Sequence, residues 1–147
     1  MFRFEAEVDK ARRILLQQRL KDTNTERSSA LRALRGTPDE KERPLHVWAV
    51  DGKGDLAGGL TGRTWATWLH VDLLWVDPAH RGTGLGAELL ARAEESARTD
   101  HSCARSRVET WDFQAPGFYR RQGYAVVGEV PDYPPGITEF ILTKRLK

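Results

Sequence analysis

The chain reads as a mixed α/β fold, and three features of its sequence predict this. Apolar residues recur at helical spacing near the start. A meander of strand-like runs occupies the middle. From residue 84 onward, helix-like and strand-like segments alternate. In order, residues 6–20 place Val8, Ala11, Leu15 and Leu16 on one side of a helix, with charges on the other. Residues 21–29 are polar and read as a loop. Leu31 and Leu34 predict a short second helix that stops near Gly36-Thr37-Pro38. Leu45 to Val50 and Leu56 to Thr64 predict strands joined by a turn at Asp51-Gly52, and Trp68 to Val76 predicts a long apolar strand. Leu85, Leu89, Leu90, Ala93 and Ala97 define a helix from about Gly84 to Arg98. Strands follow near 107–111, 125–129 and 138–143. A helix over Ala115 to Gln122 lies between the first two, with Pro116 in its first turn and Gly123 after its end. There is no internal repeat and no low-complexity tract.

At 147 residues the chain has about the length of one domain, so 1–147 is expected to be a single unit able to bury a core. A hydrophobic content of 39% with five tryptophans argues against disorder. The net charge of +2 makes no case for a nucleic-acid partner. No apolar run has the length of a transmembrane helix, and Met1-Phe-Arg-Phe-Glu-Ala-Glu lacks the apolar core of a signal peptide, so a cytoplasmic protein without a membrane partner is expected. The lone Cys103 excludes an intrachain disulfide and reads as structural. The four histidines lack metal-ligand spacing, so no metal is expected.

The most informative run is Val76-Asp-Pro-Ala-His-Arg-Gly-Thr-Gly-Leu-Gly-Ala-Glu-Leu-Leu90. Between a strand and a helix lie Gly82, Gly84 and Gly86, whereas a turn alone needs one glycine. A glycine turn that opens a helix aims several unpaired N–H groups at one point beside the positive end of the helix dipole, which suits a phosphate or pyrophosphate. Gly82, Gly84 and Ala87 formally fit the dinucleotide pattern G-x-G-x-x-G/A, with Asp100 at about the right distance for a ribose. The context is wrong for it. Five residues, Asp77 to Arg81, separate the strand from the glycines, and too little chain follows for the remaining βαβ units. No Gly-Lys-Ser/Thr follows, which excludes a Walker-type loop.

The run Arg81-x-x-Gly84-x-Gly86 resembles the acyl-CoA pyrophosphate loop of the GNAT superfamily, the Gcn-related N-acyltransferases, which reads Gln/Arg-x-x-Gly-x-Gly/Ala. A second segment, Arg107 to Tyr124, is similar to the family's strand–helix motif carrying Ala-x-x-Phe-Tyr, with Ala115, Phe118, Tyr119, Gly123 and Tyr124 in register. The resemblance covers roughly Leu45 to Lys144. It implies a mostly antiparallel central sheet with a V-shaped splay flanked by helices, although little chain precedes the first helix for a full first strand. It further implies acetyl-CoA as co-substrate and a homodimer as a common assembly. The cofactor contacts it implies are Leu74, Trp75, Val76, Arg81, Gly82, Thr83, Gly84, Leu85, Gly86, Ala87 and Phe118. Asp112 stands where the family often has an asparagine that touches the cofactor arm.

The chemistry follows from the residues. An amine attacks the thioester and a tetrahedral oxyanion forms. The amine must first lose a proton, since alkyl ammonium ions titrate near pH ~10. Asp72, on the long strand, matches by position the family's glutamate base, and Glu109 is its rival. His70 shares a face with Asp72 and reads as a packed or solvated residue. Tyr119 falls where the family's tyrosine points at the CoA sulfur and is the candidate acid. A backbone N–H near Leu74 to Val76 is the expected oxyanion donor, and that backbone is expected to pair with the pantetheine arm as an added strand would. Trp111, Asp112 and Tyr133 are candidate acceptor contacts. Trp65, Trp68 and Trp111 are candidates to line an aromatic acceptor pocket, although strand tryptophans are core by default. Arg120 and Arg121 are either CoA-phosphate ligands or a solvated helix face.

The sequence therefore predicts an acyl-CoA-dependent N-acetyltransferase acting on a primary amine in a ternary complex, with a small-molecule acceptor. Two alternatives stay open: a non-catalytic CoA-binding module, and an acetyltransferase of protein lysines or N-termini.

Overall fold

Asp9 starts the first helix, its carboxylate accepting a hydrogen bond from the Arg12 N–H at 2.9 Å. In the computed structural model, which describes residues 1–147, this helix, α1 (Lys10–Arg27), and α2 (Ser29–Leu34) belong to a unit spanning Met1–Thr37. The expected loop over 21–29 is helix instead. Apolar periodicity reports a buried face, and α1 has no buried residue, so its length is set by local terms. Gln18 bonds Asp22 one turn on. The break comes at Ser28, whose N–H ends α1 on the Asn24 carbonyl and whose hydroxyl caps α2 through Leu31 N–H.

The second unit, Pro38–Lys147, is built on a six-stranded sheet: β1 (Arg43–Val50), β2 (Leu56–Trp65), β3 (Trp68–Val76), β4 (Arg105–Trp111), β5 (Ala125–Val130) and β6 (Glu139–Arg145). The spatial order is β1-β2-β3-β4-β6-β5, and every pairing is antiparallel except β3 with β4. That parallel step needs a crossover, which α3 (Leu85–Asp100) supplies. Leu89, Leu90, Ala93 and Ala97 of α3 are buried with Leu60, Leu69, Val71, Val108 and Leu142 of the sheet, which accounts for the alternation of buried residues along β4. A short helix, α4 (Pro116–Arg121), adds Tyr119 to this core. No helix is long and apolar enough to cross a membrane.

Two irregularities in β3 place the site. Its pairing with β4 runs only from Trp68–Arg105 to Val71–Val108, so the β4-facing edge from Asp72 onward has no strand partner. On its other edge, Thr61 pairs with Leu73 and Gly62 with Val71, leaving Asp72 as a bulge. Before the bulge Leu69 and Val71 join the core; after it Leu74 and Val76 pack there. Asp72 and Leu73 are thereby both exposed.

His101, just after α3, has Nδ1 2.7 Å from the Thr64 hydroxyl, and burial holds its pKa below the usual 6.5. The unfolded chain therefore binds this proton more readily than the folded one. Folded stability should decline as pH falls from 6.5 through the depressed value, and His101→Gln should flatten that part of a denaturation-versus-pH curve. An unchanged slope would refute this.

Candidate active site

The glycine loop forms first from local rules. Asp77 accepts from Ala79 N–H at 2.8 Å and shapes a single 3-10 turn over Pro78–His80. Arg81 Nε reaches back to the Val76 carbonyl at 3.3 Å, and the Thr83 hydroxyl donates to the His80 carbonyl at 2.6 Å. Gly82 (φ 77°) and Gly84 (φ 84°) adopt left-handed backbone, and a Cβ at either would meet only open space. Asp9 and Ser28 cap their own helices through side chains, whereas Gly84 gives α3 no such cap. The first N–H groups of α3 thus have no side-chain cap, as an anion site at a helix start requires. The adjoining cavity of about 400 Å³ is lined by Val76, Arg81, Gly82, Gly84, Leu85, Gly86, Ala87 and Phe118. Of the expected loop contacts, Thr83 does not line it and serves as a brace.

His80, Arg121 and Gln122 also line this cavity; only Arg121 of these had been singled out, and Arg120 lies outside. Gly86 differs from its neighbours, because a Cβ there would sit 3.6 Å from Phe118 and Val76, an ordinary contact. Gly84→Ala should therefore raise the KM for acetyl-CoA more than Gly86→Ala, and should cost about 1 kcal/mol of stability from its backbone alone. Equal effects of the two variants would contradict the assignment.

The gap between β3 and β4 opens a second cavity of about 340 Å³, lined by Asp72, Leu73, Glu109, Trp111, Gln114 and Glu139 among others. Three carboxylates face it and no cationic side chain does. Leu73, Gln114 and Glu139 escaped the sequence reading, since the bulge and the β4–β6 pairing of Trp111 with Glu139 bring them there.

Asp72 and Glu109 belong to one polar chain on the sheet face opposite α3. Arg63 of β2 forms an ion pair with Asp72, while its Nη2 donates to His70 Nδ1 at 2.8 Å. A guanidinium only donates, so the neutral imidazole carries its proton on Nε2, which donates to Glu109 Oε2 at 2.6 Å. Arg107 donates to the other oxygen, Oε1, at 2.7 Å. Burial opposes the Glu109 charge, but the hydrogen bonds from His70 and Arg107 outweigh it and hold the carboxyl below the usual 4.5. Both Glu109 oxygens are committed, whereas Asp72 accepts this bond through one. His70 and Asp72 do share a face, through their common partner Arg63.

Tyr119 and Tyr124 illustrate two fates of a buried phenol. Tyr124 is bonded to Glu94 and to Ser106, each at 2.8 Å, and is structural. Tyr119 is 5% exposed, packed edge-on between Phe118 and Tyr124, and no protein group hydrogen-bonds its hydroxyl. Burial pushes its pKa up to about 12, so it holds its proton. Cys103 is wholly buried, and burial pushes its thiol pKa up, which leaves it a poor nucleophile.

Other expected site residues lie elsewhere. Leu74 packs against the core and Trp75 is exposed, so the backbone of each, not its side chain, borders the open edge of β3. The Asp112 carboxylate accepts from Thr138 N–H at 3.0 Å and anchors the chain before β6. Tyr133 is exposed in the 131–138 loop, preceding a cis Pro134. Of the two readings of the tryptophans, the core default does not hold: Trp65 and Trp68 line a third cavity of about 290 Å³ and Trp111 lines the β3–β4 gap, because all three sit on the face turned away from α3. No group of three or more His, Cys, Asp or Glu side chains is gathered for a metal.

Comparison with known proteins agrees with this geometry. The acetyltransferase (GNAT) family model matches residues 8–124. A blasticidin-S acetyltransferase of Streptomyces morookaense is 58% identical over 131 residues, covering 87% of this chain and 96% of that protein. The crystal structure of an acetyltransferase from Bacillus cereus superposes with a TM-score of 0.83 at 26% identity, covering 97% of both chains. An aminoglycoside 6'-N-acetyltransferase crystallised with coenzyme A shares the fold, with a TM-score of 0.63 at 16% identity, covering 97% of this chain and 96% of that one. With its glycine loop, interrupted β3–β4 pairing and tyrosine-bearing α4, the chain belongs to the GNAT family of acyl-CoA-dependent N-acetyltransferases.

Proposed function

We propose that the whole chain is one acetyltransferase domain that moves the acetyl group of acetyl-CoA directly to a cationic small-molecule amine held between β3 and β4. The observation that carries this reading is the β3–β4 gap, whose charged lining is Asp72, Glu109 and Glu139, with Arg63 and Arg107, which pair with the first two, outside that lining. Carboxylates attract an alkyl ammonium and can take its proton as it attacks. Acetyl-CoA fits the adjacent features: its pyrophosphate at the uncapped start of α3 beside Arg81 and Arg121, its pantetheine arm along the unpaired edge of β3.

Asp72 is the better base of the two rivals. Glu109 has both oxygens bound to donors and a lowered pKa, so it is a weak proton acceptor that orients His70. Amine attack on the thioester carbon forms a tetrahedral oxyanion, which we assign to backbone N–H groups near Leu74 to Val76, since the β4-facing edge of β3 is unpaired there. As the C–S bond breaks, the Tyr119 hydroxyl supplies a proton to the leaving sulfur. The buried Cys103 supports direct transfer over an acyl-cysteine route. We place this chemistry in the cytoplasm, where acetyl-CoA is made and used.

The 58% identity to a blasticidin-S acetyltransferase supports blasticidin S as the first acceptor to try. The test is thiol release from acetyl-CoA with blasticidin S and a panel of cationic and neutral amines, with the product mass read directly. Acetylation of cationic amines with intersecting initial-rate lines is the expected result. Turnover of neutral amines alone, or parallel lines, would overturn the reading.

A further inference from the structure

The cavity beside the β3–β4 gap has the opposite chemical character. Trp65 and Trp68 supply flat apolar walls, and Arg63 and Arg107 supply cations, with Glu42 at the rim. We infer that this cavity is a second acceptor subsite, which takes a planar anionic group, such as an aromatic carboxylate, on the same molecule whose amine enters the β3–β4 gap. The inference rests on the acetyltransferase reading and specifies its substrate class as dipolar.

Four observations lead there. First, the two cavities are neighbours, because the His70–Glu109 hydrogen bond joins a lining residue of one to a lining residue of the other. Second, charge is sorted between them. The gap has carboxylates only, while the second cavity holds both guanidinium groups of the polar chain. Third, Arg63 is consumed by Asp72, His70 and Glu42, but Arg107 is not. Arg107 gives one N–H to Glu109, and its Nε is buried without an acceptor. That Nε has no surface open to a ligand, but the Arg107 side chain is 43% exposed and only one terminal N–H is given to Glu109, so the outer end of the guanidinium keeps donors of the right charge for an incoming carboxylate. Fourth, these tryptophans sit where apolar side chains gain least from folding. Trp65 is exposed at 42%, its indole fixed to the Glu40 carbonyl, and Trp68 carries Arg105 over its ring at 5.9 Å. A flat ring entering here meets aromatic surface and guanidinium planes together. Glu42 does not oppose the anion strongly, being solvent-exposed and paired with Arg63 at 3.4 Å.

The experiment compares ω-aminoalkyl benzoates of graded tether length with their carboxamide twins as acceptors. For the best tether, kcat/KM for the carboxylate should exceed that of its twin by about tenfold, the scale of one charge-assisted hydrogen bond. Arg107→Met should bring that ratio near one, and Arg107→Lys should restore part of it. A ratio of one at every tether length, or a ratio that survives Arg107→Met, would overturn the inference. A binding measurement decides the same point without turnover: 2-naphthoate should quench tryptophan fluorescence more tightly than 2-naphthamide, and Trp68→Leu should remove most of the quenching. Equal affinity of the two naphthyl probes would also overturn it. If no amine is acetylated, the acetyltransferase reading fails, and the naphthoate result still decides the subsite.

Discussion

Replacing Tyr119 with Phe is expected to lower kcat by about a hundredfold, the usual reach of a single general acid, and to leave thermal stability unchanged. The two halves of the expectation come from the same observation. The hydroxyl has no protein partner, so its removal breaks no structural hydrogen bond, while the ring that fills the space against Phe118 and Tyr124 is retained. On the proposed reading, its contribution is to the reaction. With a pKa of about 12 set by burial, the phenol stays protonated over the working range, and activity should show no alkaline fall from Tyr119 until pH approaches that value. An acetyl thioester with a more acidic thiol needs less help in leaving and should narrow the gap between variant and wild type. If kcat is unchanged while Tyr119→Ala unfolds the protein, Tyr119 is a packing residue only.

Asp72→Asn is the second large effect: kcat/KM should fall by about a hundredfold, with the loss concentrated in kcat. Asn keeps the size of the side chain and an acceptor for Arg63 but cannot take a proton. Glu109→Gln tests the competing assignment. Its oxygens already accept from His70 and Arg107, so the substitution should raise KM for a cationic acceptor and reduce kcat less than Asp72→Asn does. The reverse ranking would transfer the base role to Glu109. Stability offers a control on the same residue. The lowered Glu109 pKa means that its ion contacts stabilise the fold above the usual carboxylate range and are lost as pH falls below 4.5 through the folded value, so Glu109→Gln should lessen acid sensitivity there.

Much of the fold was legible before any coordinates. The strands at Trp68–Val76 and the helix after Gly84 lie within a residue or two of their expected limits, because both carry apolar faces that a core must cover. The loop expected at 21–29 failed for the complementary reason: α1 buries nothing, so hydrophobic spacing said nothing about where it ends. The loop glycines were readable as a candidate phosphate site, but not which of them needs left-handed backbone. Gly86 turned out to be an ordinary helical residue.

Sequence alone determined the family, the order of elements, the glycine loop and the tyrosine on α4, since each depends on residues close together in the chain. Tertiary structure decided the rest of the site. The bulge at Asp72 turns that carboxylate and Leu73 outward, the end of β3–β4 pairing at Val71 creates the gap, and β6 delivers Glu139 to it. Arg63, His70, Glu109 and Arg107 come from three strands, and only their pairing register makes them one hydrogen-bonded chain. Local propensity is carried by spacing along the chain. A charge network across strands is carried by register, which is fixed by packing against α3 and has no linear signature.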